Sequence, residues 1–243
     1  MASLKSRLQH SVTPVALRSY LAEFISTFLF VFASVGAATS SWKMTASDPA
    51  SLTATAIASA FALSAAVYIA ASISGGHVNP AVTFAMAVGG HITIPMAVFY
   101  WMAQMLGSVM ACLVLKTMTV GQKIRVHTIP DEMTGFGASI LEGVMTFGLV
   151  YTVYVCADAR RSSAIGPLAV GFILGANVLA SGPFTGGSMN PACAFGAALV
   201  GGSFKNQAVY WVGPLIGAAL AGILYDNVVF PAHSVSDGAV VGI

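Results

Sequence analysis

Ser74-Gly-Gly-His-Val-Asn-Pro-Ala-Val-Thr-Phe84 and Thr185-Gly-Gly-Ser-Met-Asn-Pro-Ala-Cys-Ala-Phe195 are two versions of one eleven-residue stretch, identical at six positions and offset by 111 residues. In each, a glycine pair leads into Asn-Pro-Ala and an apolar run, Val78–Val88 in the first and Met189–Val200 in the second. Crossing a bilayer takes roughly 20 apolar residues. Runs of this shorter length read as re-entrant half-helices, whose polar entry loops are tolerated at membrane depth only where they line a cavity.

Outward from these stretches, six longer apolar segments reach spanning length: 19–40, 52–73, 94–117, 134–156, 163–182 and 208–230. The repeat continues into them. Span one carries Glu23 with Thr27-Phe28 and span four carries Glu142 with Thr146-Phe147; span three opens Tyr100-Trp101 and span six Tyr210-Trp211. Three spans and one half-helix therefore recur once, and an odd number of spans inserts the second copy upside down relative to the first. The expectation is an all-α membrane protein with six transmembrane helices and two re-entrant half-helices in an inverted repeat. Residues 1–18 are expected to form a polar N-terminal tail, 19–230 a single domain (repeats about 19–117 and 134–230), and 231–243 a polar C-terminal tail.

Composition agrees. Of 243 residues, 57% are hydrophobic and only 7% charged, against about 25% charged in soluble proteins; mean hydropathy is +0.84. This disfavours most enzymes of aqueous metabolites, and a net charge of +2 is too small for a nucleic-acid surface. Cys112, Cys156 and Cys193 are odd in number and widely spaced, which suggests neither a disulfide framework nor a metal site. The basic N-terminus has no early apolar core with a cleavage site, so the first span is expected to direct insertion. The ten Lys and Arg divide five against five between the two sides, so charge alone sets no orientation.

Inverted halves bring the two half-helices from opposite faces, with Asn79-Pro80-Ala81 and Asn190-Pro191-Ala192 meeting near the midplane. Proline suits a first helical turn, where its missing N–H would be unbonded anyway. Asparagine before it caps the helix and offers its amide to the lumen. The converging positive dipole ends orient water oxygen-first and oppose cations. One such Asn-Pro-Ala would be merely a cap; a matched pair in inverted halves points to a pore.

From about Leu21 to Val229 the chain resembles the aquaporin (major intrinsic protein) family. Stretches such as SGGHVNPAVTF, GPLAVGFILGANVLASGPF and NQAVYWVGPLIGA resemble the plant tonoplast intrinsic proteins. The resemblance implies a pore in each protomer, a homotetramer, and a second constriction built from residues fixed relative to the two motifs. Those positions here are Ser59, Val178, Gly187 and Cys193. They depart from the family's water-selective pattern, in which large rings and an arginine stand at three of the four. A small filter with cysteine for arginine resembles the fifth tonoplast-intrinsic subgroup. Ala194, where the glycerol-facilitator branch carries Asp, and Tyr210-Trp211 resemble the aquaporin branch.

The expected activity is passive conduction of water and small neutral solutes: urea, with glycerol, boric acid, ammonia or hydrogen peroxide as further candidates. No catalysis, cofactor, metal or nucleic-acid partner is expected; membrane lipid surrounds the chain. By resemblance the membrane is vacuolar, with other intracellular membranes as alternatives. The competing reading is a proton-coupled secondary transporter using Glu23 and Glu142, since acids inside a membrane are functional suspects. The resemblance gives both glutamates another role, accepting hydrogen bonds from the re-entrant loops, which His77 also lines. His127 is a candidate for the pore mouth, although a solvated loop residue is the commoner outcome. The glycines of the spans (Gly36, Gly107, Gly143, Gly148, Gly171, Gly175, Gly213, Gly217) read as helix packing. Gly186-Gly187-Ser188 lacks the glycine that a serine-nucleophile elbow requires.

Overall fold

A computed structural model describes residues 4–44, 49–158, 160 and 164–231. Its helices in chain order are α1 (Leu4–His10), α2 (Pro14–Met44), α3 (Pro49–Ser74), α4 (Pro80–Val88), α5 (Ile94–Met118), α6 (Gly135–Ala157), α7 (Gly166–Thr185), α8 (Pro191–Gly201) and α9 (Val209–Leu224), followed by a π-helical turn, Tyr225–Val229. Six of these are long and apolar enough to cross a membrane. The connector residues 45–48, 159 and 161–163, and the tail beyond Pro231, lie outside the described residues.

Differences from the sequence expectation have local causes. Part of the segment read as an N-terminal tail is helical, and α2 begins at Pro14, because Thr13 caps it by accepting from Ala16 N at 3.3 Å. The half-helices start at Pro80 and Pro191, two residues later than the apolar runs suggest, because Val78 and Met189 are left-handed, with φ of 56° and 51°. Their side chains are apolar but their backbones belong to the loops.

The repeat is a packing symmetry. α2 packs on α5 as α6 packs on α9; α4 lies against α9 as α8 lies against α5; and α3 meets α7 across the axis between halves. Trp101 and Trp211 meet edge to face near that axis, ring centroids 6.0 Å apart. Small residues allow the crossings. A Cβ on Gly217 would fall 2.0 Å from Gly143 O, and one on Gly107 2.5 Å from Phe24 O. Gly148 differs from the packing expectation, since its nearest neighbour would be Ile173 Cγ1 at 4.0 Å, an ordinary contact. Outward, large apolar side chains such as Phe61, Ile69, Leu106, Phe172 and Leu220 remain exposed, the surface a lipid solvent requires.

Candidate functional site: a pore between two half-helices

Each half-helix is capped by its own asparagine. Asn79 Oδ1 accepts from Ala81 N at 2.8 Å; Asn190 Oδ1 accepts from Ala192 N at 3.0 Å and Cys193 N at 3.3 Å. The amide nitrogens then reach across the axis. Asn79 Nδ2 donates to Met189 O at 2.8 Å, and Asn190 Nδ2 donates to Val78 O at 2.9 Å. A capping role alone leaves both amides free for the lumen. One N–H of each is instead committed to the opposite loop, and one remains.

The loops themselves are braced by the two glutamates, both fully buried. Glu23 accepts from Ser74 Oγ at 2.6 Å, His77 N at 2.9 Å, Val78 N at 2.7 Å and Gln104 Nε2 at 2.8 Å. Glu142 accepts from Thr185 Oγ1 at 2.6 Å, Ser188 N at 3.1 Å and Met189 N at 2.7 Å. Pinning successive N–H groups turns the loop carbonyls the other way, and it holds Val78 and Met189 in a conformation that ordinary residues avoid. Tyr100 Oη and Tyr210 Oη complete the brace, donating to Ser74 O and Thr185 O, each at 2.9 Å. Carboxylates so enclosed give most of their lone pairs to the loops, and Glu23 one more to Gln104 of α5.

Ser59, Val178, Gly187 and Cys193 line one cavity of about 670 Å³, together with Ser34 and His127. Ser59 comes from α3, Val178 from α7, Gly187 from the second loop and Cys193 from α8. Gly187 has φ +64°, and a Cβ there would lie 2.8 Å from Ser181 Oγ and 3.1 Å from Val178 Cα, so the loop passes close to α7 only without a side chain. Cys193 is nearly buried but faces this cavity, whereas Cys112 is wholly enclosed and Cys156 half-buried.

His127 lines the same cavity from the connector between α5 and α6. Its ring overhangs the second loop, 5.5 Å from the Tyr210 ring centroid, close enough that a Cβ on Gly186 would come within 2.9 Å. Burial, with the Arg125 guanidinium adding to it, pushes the imidazole down to about 4. His77 lies in the first loop, its Nδ1 3.0 Å from Thr83 Oγ1. Among the described residues no three His, Cys, Asp or Glu side chains gather as metal ligands.

Sequence reasoning missed Gln104 and Ser34. A lone glutamine inside span three was a usable signal for the first. Ser34 gave none, since serine is common in such helices.

The sequence matches the Major intrinsic protein family over residues 10–225. It is 59% identical to "Probable aquaporin TIP5-1" of Arabidopsis thaliana over 236 residues, covering 95% of this chain and 92% of that one. It is 54% identical to the protein of the same name from Oryza sativa subsp. japonica, covering 95% and 91%, and 53% identical to "Probable aquaporin TIP-type RB7-18C" of Nicotiana tabacum, covering 90% of each. In fold it is similar to the aquaglyceroporin of Plasmodium falciparum, with a TM-score of 0.75, 21% identity, and coverage of 88% of this chain and 97% of that one. With the paired half-helices and six spans, these likenesses place the chain in the major intrinsic protein family, among TIP-type aquaporins, as a multi-pass membrane channel for water and not an enzyme.

Proposed function

We propose that each protomer of a homotetramer in the vacuolar membrane conducts urea as well as water, and with urea other small neutral solutes such as glycerol, boric acid, ammonia and hydrogen peroxide. The observation that carries this is the composition of the outer constriction. Ser59, Val178, Gly187 and Cys193 line the cavity together, and none of the four has a ring or a guanidinium. Such a wall excludes by size far less than one built of rings, and it adds no fixed charge.

Deeper in, Asn79 and Asn190 supply the remaining amide N–H groups at the meeting point of two positive helix ends. Water is turned oxygen-first there and cations are repelled, while neutral solutes pass. Pro80, Ala81, Pro191 and Ala192 form the first turns. Flow follows the gradient, and Glu23 and Glu142 serve the loops; no carrier step is assigned to them.

Stopped-flow light scattering on proteoliposomes tests this. Liposomes with protein should re-swell in a urea gradient much faster than empty ones; water conduction without urea conduction would overturn the reading. Mercury should block the wild type, and Cys193→Ser should abolish the block. Cys193→Arg should cut urea flux far more than water flux. Equal loss of both fluxes in a well-folded protein would remove Cys193 from the size filter.

A further inference from the structure

Ser34 lies on α2, outside the four positions already assigned to the constriction. Its Oγ is 2.8 Å from Ser59 Oγ, and both residues line the same cavity. A serine inside a helix commonly turns its hydroxyl back onto the carbonyl one turn earlier. Ser26 does so on Ala22 O at 2.7 Å, and Ser64 on Ala60 O at 2.9 Å. Ser34 and Ser59 pair with each other across the gap between α2 and α3 instead.

We propose that Ser34 is a further specificity-determining residue: with Ser59 it forms a hydroxyl pair that supplies the polar edge on which amide and hydroxyl solutes shed their water. The inference deepens the reading of this pore as a path for urea and rests on it. Each hydroxyl has one hydrogen to give and two lone pairs. The bond between them uses one hydrogen and one lone pair, leaving a donor and several acceptors fixed at the cavity wall. Of the other constriction side chains lining this cavity, Val178 offers only methyl groups and Cys193 a weakly bonding thiol. Among the constriction side chains, the two hydroxyls are thus the polar wall. A planar amide or a polyol must exchange several hydrogen bonds on entering and depends on the polar wall. A water molecule keeps bonds to the waters ahead of and behind it, and depends on that wall less.

The test measures urea and water permeability side by side in proteoliposomes of the wild type, Ser34→Ala, Ser34→Thr, Ser59→Ala and the double alanine variant, each confirmed as assembled by size exclusion. Ser34→Ala should lower urea permeability about fivefold, the change carried by one neutral hydrogen bond of ordinary strength, with water flux nearly kept. Ser34→Thr should retain urea flux. The double variant should lose less than the sum of the two single losses, because either truncation already breaks the pair. Should Ser34→Ala fail to assemble, Ser34→Cys gives the same comparison with a weak donor of similar volume. Unchanged urea flux in Ser34→Ala, a parallel loss of urea and water, or strictly additive losses would overturn the hydroxyl pair. A wild type that conducts water but no urea would overturn the reading beneath it as well; a wild type that conducts urea at a ratio unaltered by Ser34→Ala sinks the pair alone.

Discussion

Glu23 holds the loop before α4 with four donors while Glu142 holds the loop before α8 with three; the fourth donor is Gln104, whose place in the second repeat is taken by Pro214. Around Gln104 the first half adds Thr83, which accepts from Gln104 Nε2 at 2.9 Å and meets His77 Nδ1 at 3.0 Å. The corresponding residues in the second half are Ala194 and Ser188. The Ser188 hydroxyl turns to Asn190 O at 3.1 Å instead, and the overhanging His127 ring covers that loop. The two backbones are nevertheless alike, with glycine φ values of 88° and 64° in one loop and 84° and 64° in the other. Residues that repeat (the glutamate, the glycine pair, Asn-Pro-Ala, the tyrosine) set the shape of the loops. Residues that do not repeat change the buried packing behind each loop without changing that shape.

The largest way to break this comparison is to remove a brace. Glu23→Ala leaves four donors unanswered in a water-poor interior and Glu142→Ala leaves three, each at about 1–3 kcal/mol. Neither variant should give an assembled channel, and Glu23→Ala should be the worse in thermal unfolding in detergent. A stable, conducting Glu23→Ala would end the bracing role. Next in size, Asn79→Asp and Asn190→Asp put a negative charge at the meeting helix ends. Each should raise cation conductance about tenfold, equivalent to about 1.4 kcal/mol off the barrier, when currents are recorded under voltage clamp. Effects of similar size from both would support the symmetric centre; a cation-tight Asn190→Asp would remove its assigned role.

Smaller still, Gln104→Leu strikes only the non-repeated part of the first half. It should lower stability by about 1–2 kcal/mol with little change in water flux, and a melting curve in detergent would show it. The smallest expected effect is none. With its imidazole pushed down to about 4, His127 stays neutral from about pH 7.5 to about pH 5, so it should impart no pH dependence to water flux in that window. Its contribution to stability has a definite sign. Below the ordinary histidine range the unfolded chain takes up a proton that the folded chain refuses, so stability falls as pH drops towards about 4. His127→Ala should flatten that slope, and an unchanged slope would place its origin elsewhere.

The fold was legible because the membrane permits so few alternatives. Six apolar lengths and two short ones leave little but spans and half-helices, and the doubled Asn-Pro-Ala supplies the inversion. Backbone detail was not legible. Val78 and Met189 look like the start of an apolar helix, and only their bonds to the glutamates reveal them as loop. Pairings between distant helices were equally hidden: nothing in the spacing of Ser34 and Ser59 brings their hydroxyls together, because the α2–α3 crossing that does so depends on many contacts at once. His127 could be placed on a connector but not over the second loop, since its position depends on how residues 119–134 fold back.

The reciprocal bonds from Asn79 to Met189 and from Asn190 to Val78 bear on how the chain is made. Asn79 and its acceptor are 110 residues apart, and chains are synthesised from the N-terminus. The first loop can therefore be braced by Glu23 as soon as its own half is inserted, but its asparagine waits for the second half before its cross-axis bond can form. A truncated or half-inserted product carries unmatched polar groups into lipid, where nothing else answers them. The two halves therefore close each other's polar centre, and neither half can satisfy its own asparagine alone.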